Sequence, residues 1–237
     1  MPKPMRTFVF AGLLCLVCSL LLTAAATGLK DIQERNVSVD KHKNILTAVG
    51  AFGPEARPAA EEIEALYKET IRTLWVDSAG RILTEAEQEP SDLPMYVYEK
   101  SGNISAYVVP IDTRGLWGPI HGYLALEADG STVRGFTVYQ HQETPGLGGE
   151  IEKRWFQKNF QGKKIVNQQG EFVSVSVAKG QVEEVVPSER REHYVDGISG
   201  ATMTGKFLSE GLADILAAYE PVAVRLRQNE PIRISQP

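Results

Sequence analysis

Much of the reactive chemistry in this 237-residue chain gathers in eleven positions near its C-terminal end, Asp196-Gly197-Ile198-Ser199-Gly200-Ala201-Thr202-Met203-Thr204-Gly205-Lys206. A carboxylate, the hydroxyls of Ser199, Thr202 and Thr204, and an amine sit among three glycines, which permit close backbone approach and positive φ. A helical apolar pattern begins at Lys206, so the N–H groups of this turn are expected to face an anion, and a phosphorylated ligand is the natural candidate. Two familiar templates fall short. Gly200 to Lys206 matches the first seven positions of a phosphate-binding P-loop, but Phe207 stands where the magnesium-holding hydroxyl is required. Gly197 to Ala201 lacks the last glycine of a nucleophile elbow, and His193, six residues from Ser199, makes a weak case for a serine hydrolase.

Two other stretches offer walls for a ligand. Gln142-Glu143-Thr144-Pro145-Gly146-Leu147-Gly148-Gly149-Glu150 does not complete a dinucleotide fingerprint, because Ile151 takes the last glycine position. It reads either as a plain loop or as a backbone-lined slot in which Leu147 supplies an apolar face and Thr144 a hydrogen bond. Arg114-Gly115-Leu116-Trp117-Gly118-Pro119 carries an indole suited to the core or to stacking on a ring, with the core the safer assignment.

These stretches need a scaffold, and the patterning predicts one. Apolar residues from Ile63 to Trp75 recur at helical spacing within Ala59 to Trp75. The acidic run Asp77 to Pro94 reads as loop. Met95 to Tyr98, Ser105 to Ile111, Tyr123 to Glu127 and Val133 to Gln140 read as strands, with a turn at Ala128-Asp129-Gly130-Ser131. Glu150 to Phe160 reads as helix, Val173 to Val177 and Tyr194 to Ile198 as strands, and the last helix runs from Lys206 to Pro221. The predicted class is α+β: one domain with a mainly antiparallel, twisted sheet packed by helices.

The net charge of −5 and the lack of a Lys/Arg-rich block argue against a nucleic-acid partner. Thr7 to Leu29 runs for 23 residues without a charge, between Lys3 and Arg6 on one side and Lys30 on the other. Its length suits a single membrane-spanning helix, with a cleaved signal peptide ending near Ala24-Ala25-Ala26 as the alternative. Either way the bulk of the chain is expected to be exported. The division follows: residues 1–30 as membrane anchor, 31–58 as membrane-proximal helix and linker, 59–237 as exported domain. Both cysteines, Cys15 and Cys18, fall in the apolar run, read as packing residues, and leave the exported part without thiols. No metal site is predicted.

Ser199-Gly200-Ala201-Thr202, preceded by Asp196-Gly197, resembles the motif of proteins that carry FMN through a phosphoester bond to threonine. Together with the apolar N-terminus, Gly115-Leu116-Trp117 leading to Gly122-Tyr123, and Glu143-Thr144-Pro145-Gly146-Leu147-Gly148, it is similar to the C-subunit family of sodium-translocating NADH:quinone oxidoreductases. The resemblance implies an electron-transfer subunit of a respiratory complex that couples NADH oxidation and quinone reduction to sodium export. In that family the flavin relays single electrons between a membrane-embedded iron centre and another covalent FMN. Carried over by position, Thr202 is the phosphoryl acceptor, with Thr204 its internal rival and Asp196 part of the pattern read by a flavin transferase. Ser199, Gly200, Ala201, Lys206, Glu143, Thr144, Leu147, Gly148, Gly149, Leu116 and Trp117 are the expected flavin-binding residues, and redox chemistry resides on FMN rather than on a catalytic side chain. Implied partners are the other subunits, the transferase and the lipid bilayer. The implied location is a bacterial inner membrane crossed once, N-terminus inside and soluble domain periplasmic. Two alternatives stand beside this: the homologous subunit of the related ferredoxin-linked, Rnf-type complex, and a membrane-tethered module that binds phosphate or flavin noncovalently.

Overall fold

The computed structural model describes residues 3–53, 56–83 and 87–228, and divides into two units, Met1–Asp40 and Lys41–Pro237. Helix α1 spans Lys3–Ala48. From Met5 to Val37 its side chains, apolar ones included, are exposed, and this helix is long and apolar enough to cross a membrane. Near its other end, Ile45, Leu46, Ala48 and Val49 are buried in the second unit. Cys15 and Cys18 are exposed free thiols on α1.

The second unit is built on a six-stranded sheet: β1 (Ile71–Val76), β2 (Ile82–Leu83), β3 (Leu93–Lys100), β4 (Asn103–Arg114), β5 (Pro119–Glu127) and β6 (Val133–Gln140). The spatial order is β2-β1-β3-β4-β5-β6, and each neighbouring pair is antiparallel. This is the predicted α+β class. Helix α2 (Ala60–Thr70) is shorter than its apolar spacing suggests, because Ile71 to Trp75 form the strand that pairs with β3. β-branched and aromatic side chains pack better on a pleated surface than on a helix, and here the sheet takes them. The acidic run is not all loop. Asp77 accepts hydrogen bonds from the Ala79 and Arg81 N–H groups, the turn feeds β2, and Leu93 already belongs to β3; positions 84–86 lie outside the described residues.

One face of the sheet presents Val97, Val109, Ile111, Ile120, Leu124, Leu126 and Phe136 to a core completed by Phe156 and Phe160 and by Leu208, Leu212 and Leu216 of the last helix, α5 (Thr202–Arg227). Between β6 and α5 lie a 3-10 turn (Gly148–Glu152), α3 (Arg154–Lys158), β7 (Ser176–Val177), α4 (Val182–Val185), a second 3-10 turn (Ser188–His193) and β8 (Tyr194–Val195). The helix expected over residues 150–160 is thus broken into a 3-10 turn and one short helix. The strand expected over 173–177 is reduced to two residues, pairing in parallel with β8. Helix α5 begins four residues earlier than predicted and continues past Pro221. Buried Val222, Ala223 and Leu226 hold that last segment against the core, which offsets the hydrogen bond proline cannot donate.

The opposite face carries a row of rings, Tyr96 edge-on to Tyr123 at 5.9 Å and Tyr123 stacked on Tyr139 at 5.5 Å. Burial pushes the Tyr123 phenol well above its ordinary range. The end of α1 is tied to this sheet by Arg134, whose Nε donates to the Val49 carbonyl at 2.7 Å. Gly135 admits the Ala48 carbonyl, which would lie 2.3 Å from any Cβ there.

Candidate functional site

Three loops meet at one end of the sheet. The β4–β5 turn is closed by the Gly115 N–H donating to the Gly118 carbonyl at 2.7 Å, and it leaves Leu116 and Trp117 exposed. The assignment of Trp117 to the core is therefore corrected: the residue is 67% exposed, because the tight turn carries it beyond the ends of β4 and β5. The second loop follows β6. Thr144, Pro145, Gly146 and Leu147 lie along it, with Leu147 exposed, while Gly148 and Gly149 are buried and Gly149 donates its N–H to the Thr144 carbonyl at 2.9 Å. The third loop runs from β8 into α5. Gly197 passes so close to the Ala178 carbonyl that a Cβ would lie 2.2 Å from it, and Gly200 adopts a φ of +74° with its α-carbon against Leu147.

Glu143 links these loops. It is 4% exposed, its Oε1 accepts the Trp117 N–H at 2.9 Å, and its Oε2 accepts the Thr204 hydroxyl at 2.5 Å. Its own N–H donates to His141 Nδ1 at 3.0 Å, so the His141 ring proton sits on Nε2, which faces Glu152 at 3.3 Å. A hydrogen bond from Lys153, helped by the one from His141, holds the Glu152 carboxyl below its usual range.

The first turn of α5 has two sides. Ser199, Gly200, Thr202, Met203 and Lys206 are exposed; Ala201 and Gly205 are buried, and Thr204 is 1% exposed. Ala201, at the N-cap, has no side-chain hydrogen bond to offer, so the first N–H groups of a 26-residue helix are left for another acceptor. Lys206 pairs with Glu210 at 3.6 Å on the exposed surface. Phe207, where a P-loop has its hydroxyl, lies under the Arg114 guanidinium, 5.4 Å from the ring centroid.

Of the residues singled out from sequence, the structure joins Trp117, Gly148 and Thr204 to Glu143, and packs Gly200 against Leu147, the neighbour of Gly148. Glu143 faces inward rather than towards a ligand surface. Asp196 is occupied elsewhere, accepting the Val182 N–H at 2.7 Å at the start of α4. His193 is buried against the Lys164 carbonyl. Sequence reasoning missed the hydrogen bond of Thr204 and the role of His141. One signal was present: the series Leu208, Leu212, Leu216, extended back one turn, lands on Thr204.

An open cleft of about 560 Å³ borders the first loop, lined by Asp112, Thr113, Arg114, Gly118 and Pro119. A tighter cavity of about 230 Å³, lined by Asn167, Val173, Ser176, Glu189, Arg190, His193 and Tyr194, shares no residue with the three loops. Among the described residues no cluster suited to a metal is found.

A family model described as an FMN-binding domain matches residues 115–217, from the first glycine of the β4–β5 turn into α5. The chain is 33% identical over 231 residues to the C-subunit of the Na(+)-translocating NADH-quinone reductase of Pseudomonas aeruginosa, with 85% of this chain and 87% of that one covered. It is 32% identical to its Yersinia pestis counterpart, with 84% and 83% covered. Among solved structures it is similar to the same reductase component from Parabacteroides distasonis, with a TM-score of 0.70, 32% identity, and 82% of this chain and 96% of that chain covered. A Shewanella oneidensis NqrC structure, at 21% identity and a TM-score of 0.66, shares the fold.

Proposed function

The chain belongs to the C-subunit family of the Na(+)-translocating NADH-quinone reductase, and from that premise we propose that it is a membrane-anchored electron carrier with FMN esterified through its phosphate to Thr202. The observation that carries the reading is the contrast between two threonines. Thr202 presents an exposed hydroxyl at the start of α5, whereas the Thr204 hydroxyl is buried and already donates to Glu143. Modification by a separate flavin transferase supplies the activation that a threonine hydroxyl needs before it can act as a nucleophile.

The residues present fit the cofactor. A phosphodiester at Thr202 places one negative charge beside the N–H groups of the first turn, an arrangement worth about 0.3–1 kcal/mol. Lys206, one turn along on the same exposed side, adds positive charge. Leu147, Met203, Leu116 and Trp117 offer exposed apolar surface to a flat ring system. Gly200 packs closely on Leu147, and Ser199 and Thr144 are within the same loops to donate hydrogen bonds. Bound FMN supplies the electron-accepting and electron-donating chemistry. A cofactor tethered on an open surface does not require the tighter cavity beside His193. Residues 1–30 act as anchor, 31–58 as the membrane-proximal segment and 59–237 as a periplasmic domain that meets the other subunits of a sodium-exporting complex.

The test is direct. The full chain is coexpressed with a flavin transferase, denatured, and read by mass and visible absorption. An FMN adduct is expected in the unsubstituted chain and in Thr204→Val, and none in Thr202→Ala. An unsubstituted chain with no adduct would favour the noncovalent module instead, and an adduct persisting in Thr202→Ala would overturn the acceptor.

A further inference from the structure

A carboxylate as buried as that of Glu143 is costly unless its oxygens are satisfied. Both are, and by groups from other parts of the chain: the Trp117 N–H from the β4–β5 turn and the Thr204 hydroxyl from α5. The backbone is shaped around it. A Cβ on Gly115 would lie 2.5 Å from Glu143 Oε1, and one on Gly148 would lie 2.6 Å from Oε2 and 2.5 Å from the Thr204 hydroxyl. His141 holds the Glu143 backbone from the other side. Immediately beside these anchor points stand the exposed apolar residues Leu116, Trp117, Leu147 and Met203. Three loops far apart in sequence thus share one buried anchor, and each carries part of an exposed apolar surface.

We propose that Glu143, with Thr204 and His141 as its partners, is a positioning residue that sets Trp117 and Leu147 against the flavin on Thr202 without itself touching it. This rests on the flavin reading above. Thr204 is then the second half of an internal clamp rather than a reserve acceptor. The carboxylate does two things a neutral side chain of that size does less well: it accepts two hydrogen bonds at once, and charge makes both stronger.

The experiment uses the full, flavinylated chain and the variants Thr204→Val, Glu143→Ala and Glu143→Gln. Three quantities are read: hydrogen exchange at the Trp117 amide, the visible circular dichroism of the flavin per mole attached, and its midpoint potential. Thr204→Val and Glu143→Ala are expected to lower Trp117 amide protection by about tenfold, the equilibrium equivalent of one charge-assisted hydrogen bond, and to shift both flavin signals. Thr204→Val should add little once Glu143 is alanine, because the two act as a unit. Glu143→Gln should recover most of the Trp117 protection, since its amide oxygen still accepts that N–H. Flavin signals that ignore all three substitutions overturn the positioning role, even if amide protection falls. Additive effects of Thr204→Val and Glu143→Ala overturn the clamp. An unsubstituted chain without attached flavin overturns instead the reading on which both rest.

Discussion

Thr202 and Thr204 are chemically identical and two residues apart, yet they sit in opposite environments. Successive helical residues turn by about 100°, so the two side chains leave α5 about 200° apart. Thr202 shares its side with Met203 and Lys206, all exposed, and Thr204 shares its side with Gly205 and Leu208, all buried. The same hydroxyl is available for modification on one side and committed to a buried carboxylate on the other. The difference teaches that a motif names the residue types, while helical phase assigns their roles.

The comparison can be broken most decisively at Thr202. Thr202→Ala should remove covalent FMN altogether, and a mass spectrum locating the adduct on Thr204 would reverse the assignment of the two sides. Next in size is Gly148→Ala, which forces a methyl group into contact with both Glu143 and Thr204. Overpacking there should cost about 3 kcal/mol, or roughly 10 °C in Tm for a domain of this size, read by thermal unfolding in detergent. Thr204→Val should cost about 1.5 kcal/mol, because it strips a donor from a buried carboxylate. Thr202→Val should stay within about 0.5 kcal/mol in the same unfolding measurement, as exposed positions generally do. Lys206→Ala belongs in the same small range, at most about 0.5 kcal/mol in stability, since its pairing with Glu210 is solvent-exposed and screened by salt.

The rest of the molecule repeats this division. Strands β3 to β6 were legible because they are enriched in β-branched and aromatic residues and bounded by Gly, Pro, Asn or Asp, and the structure places them in one antiparallel sheet. Ile71 to Trp75 misled because the same apolar residues satisfy a helical spacing, and only their pairing with β3 makes them a strand. Val173 to Val177 misled in the other direction: a clean alternation needs a partner strand, and the one available, β8, is two residues long. The continuous apolar pattern of α5 begins at Lys206, so from sequence Thr202 and Thr204 read as loop residues. As members of the helix they are sorted by the core that Leu208, Leu212 and Leu216 enter. Trp117 carried no periodic signal in either direction, and the tight Gly115–Gly118 turn exposes it.

By itself the sequence determined the apolar N-terminal helix, the antiparallel class of the domain and the exclusion of a P-loop by Phe207, and it singled out the tetrad Ser199-Gly200-Ala201-Thr202 on which the flavin proposal rests. Those properties are local, set by hydropathy, by side-chain shape and by the conformational freedom of glycine. Tertiary structure alone decided that Glu143 turns inward, that Trp117 turns outward, and that residues 117, 143 and 204 share one set of hydrogen bonds. The reason is that a carboxylate is buried only where donors from elsewhere in the chain converge on it, and such convergence across 26 and 61 residues leaves no trace in local spacing.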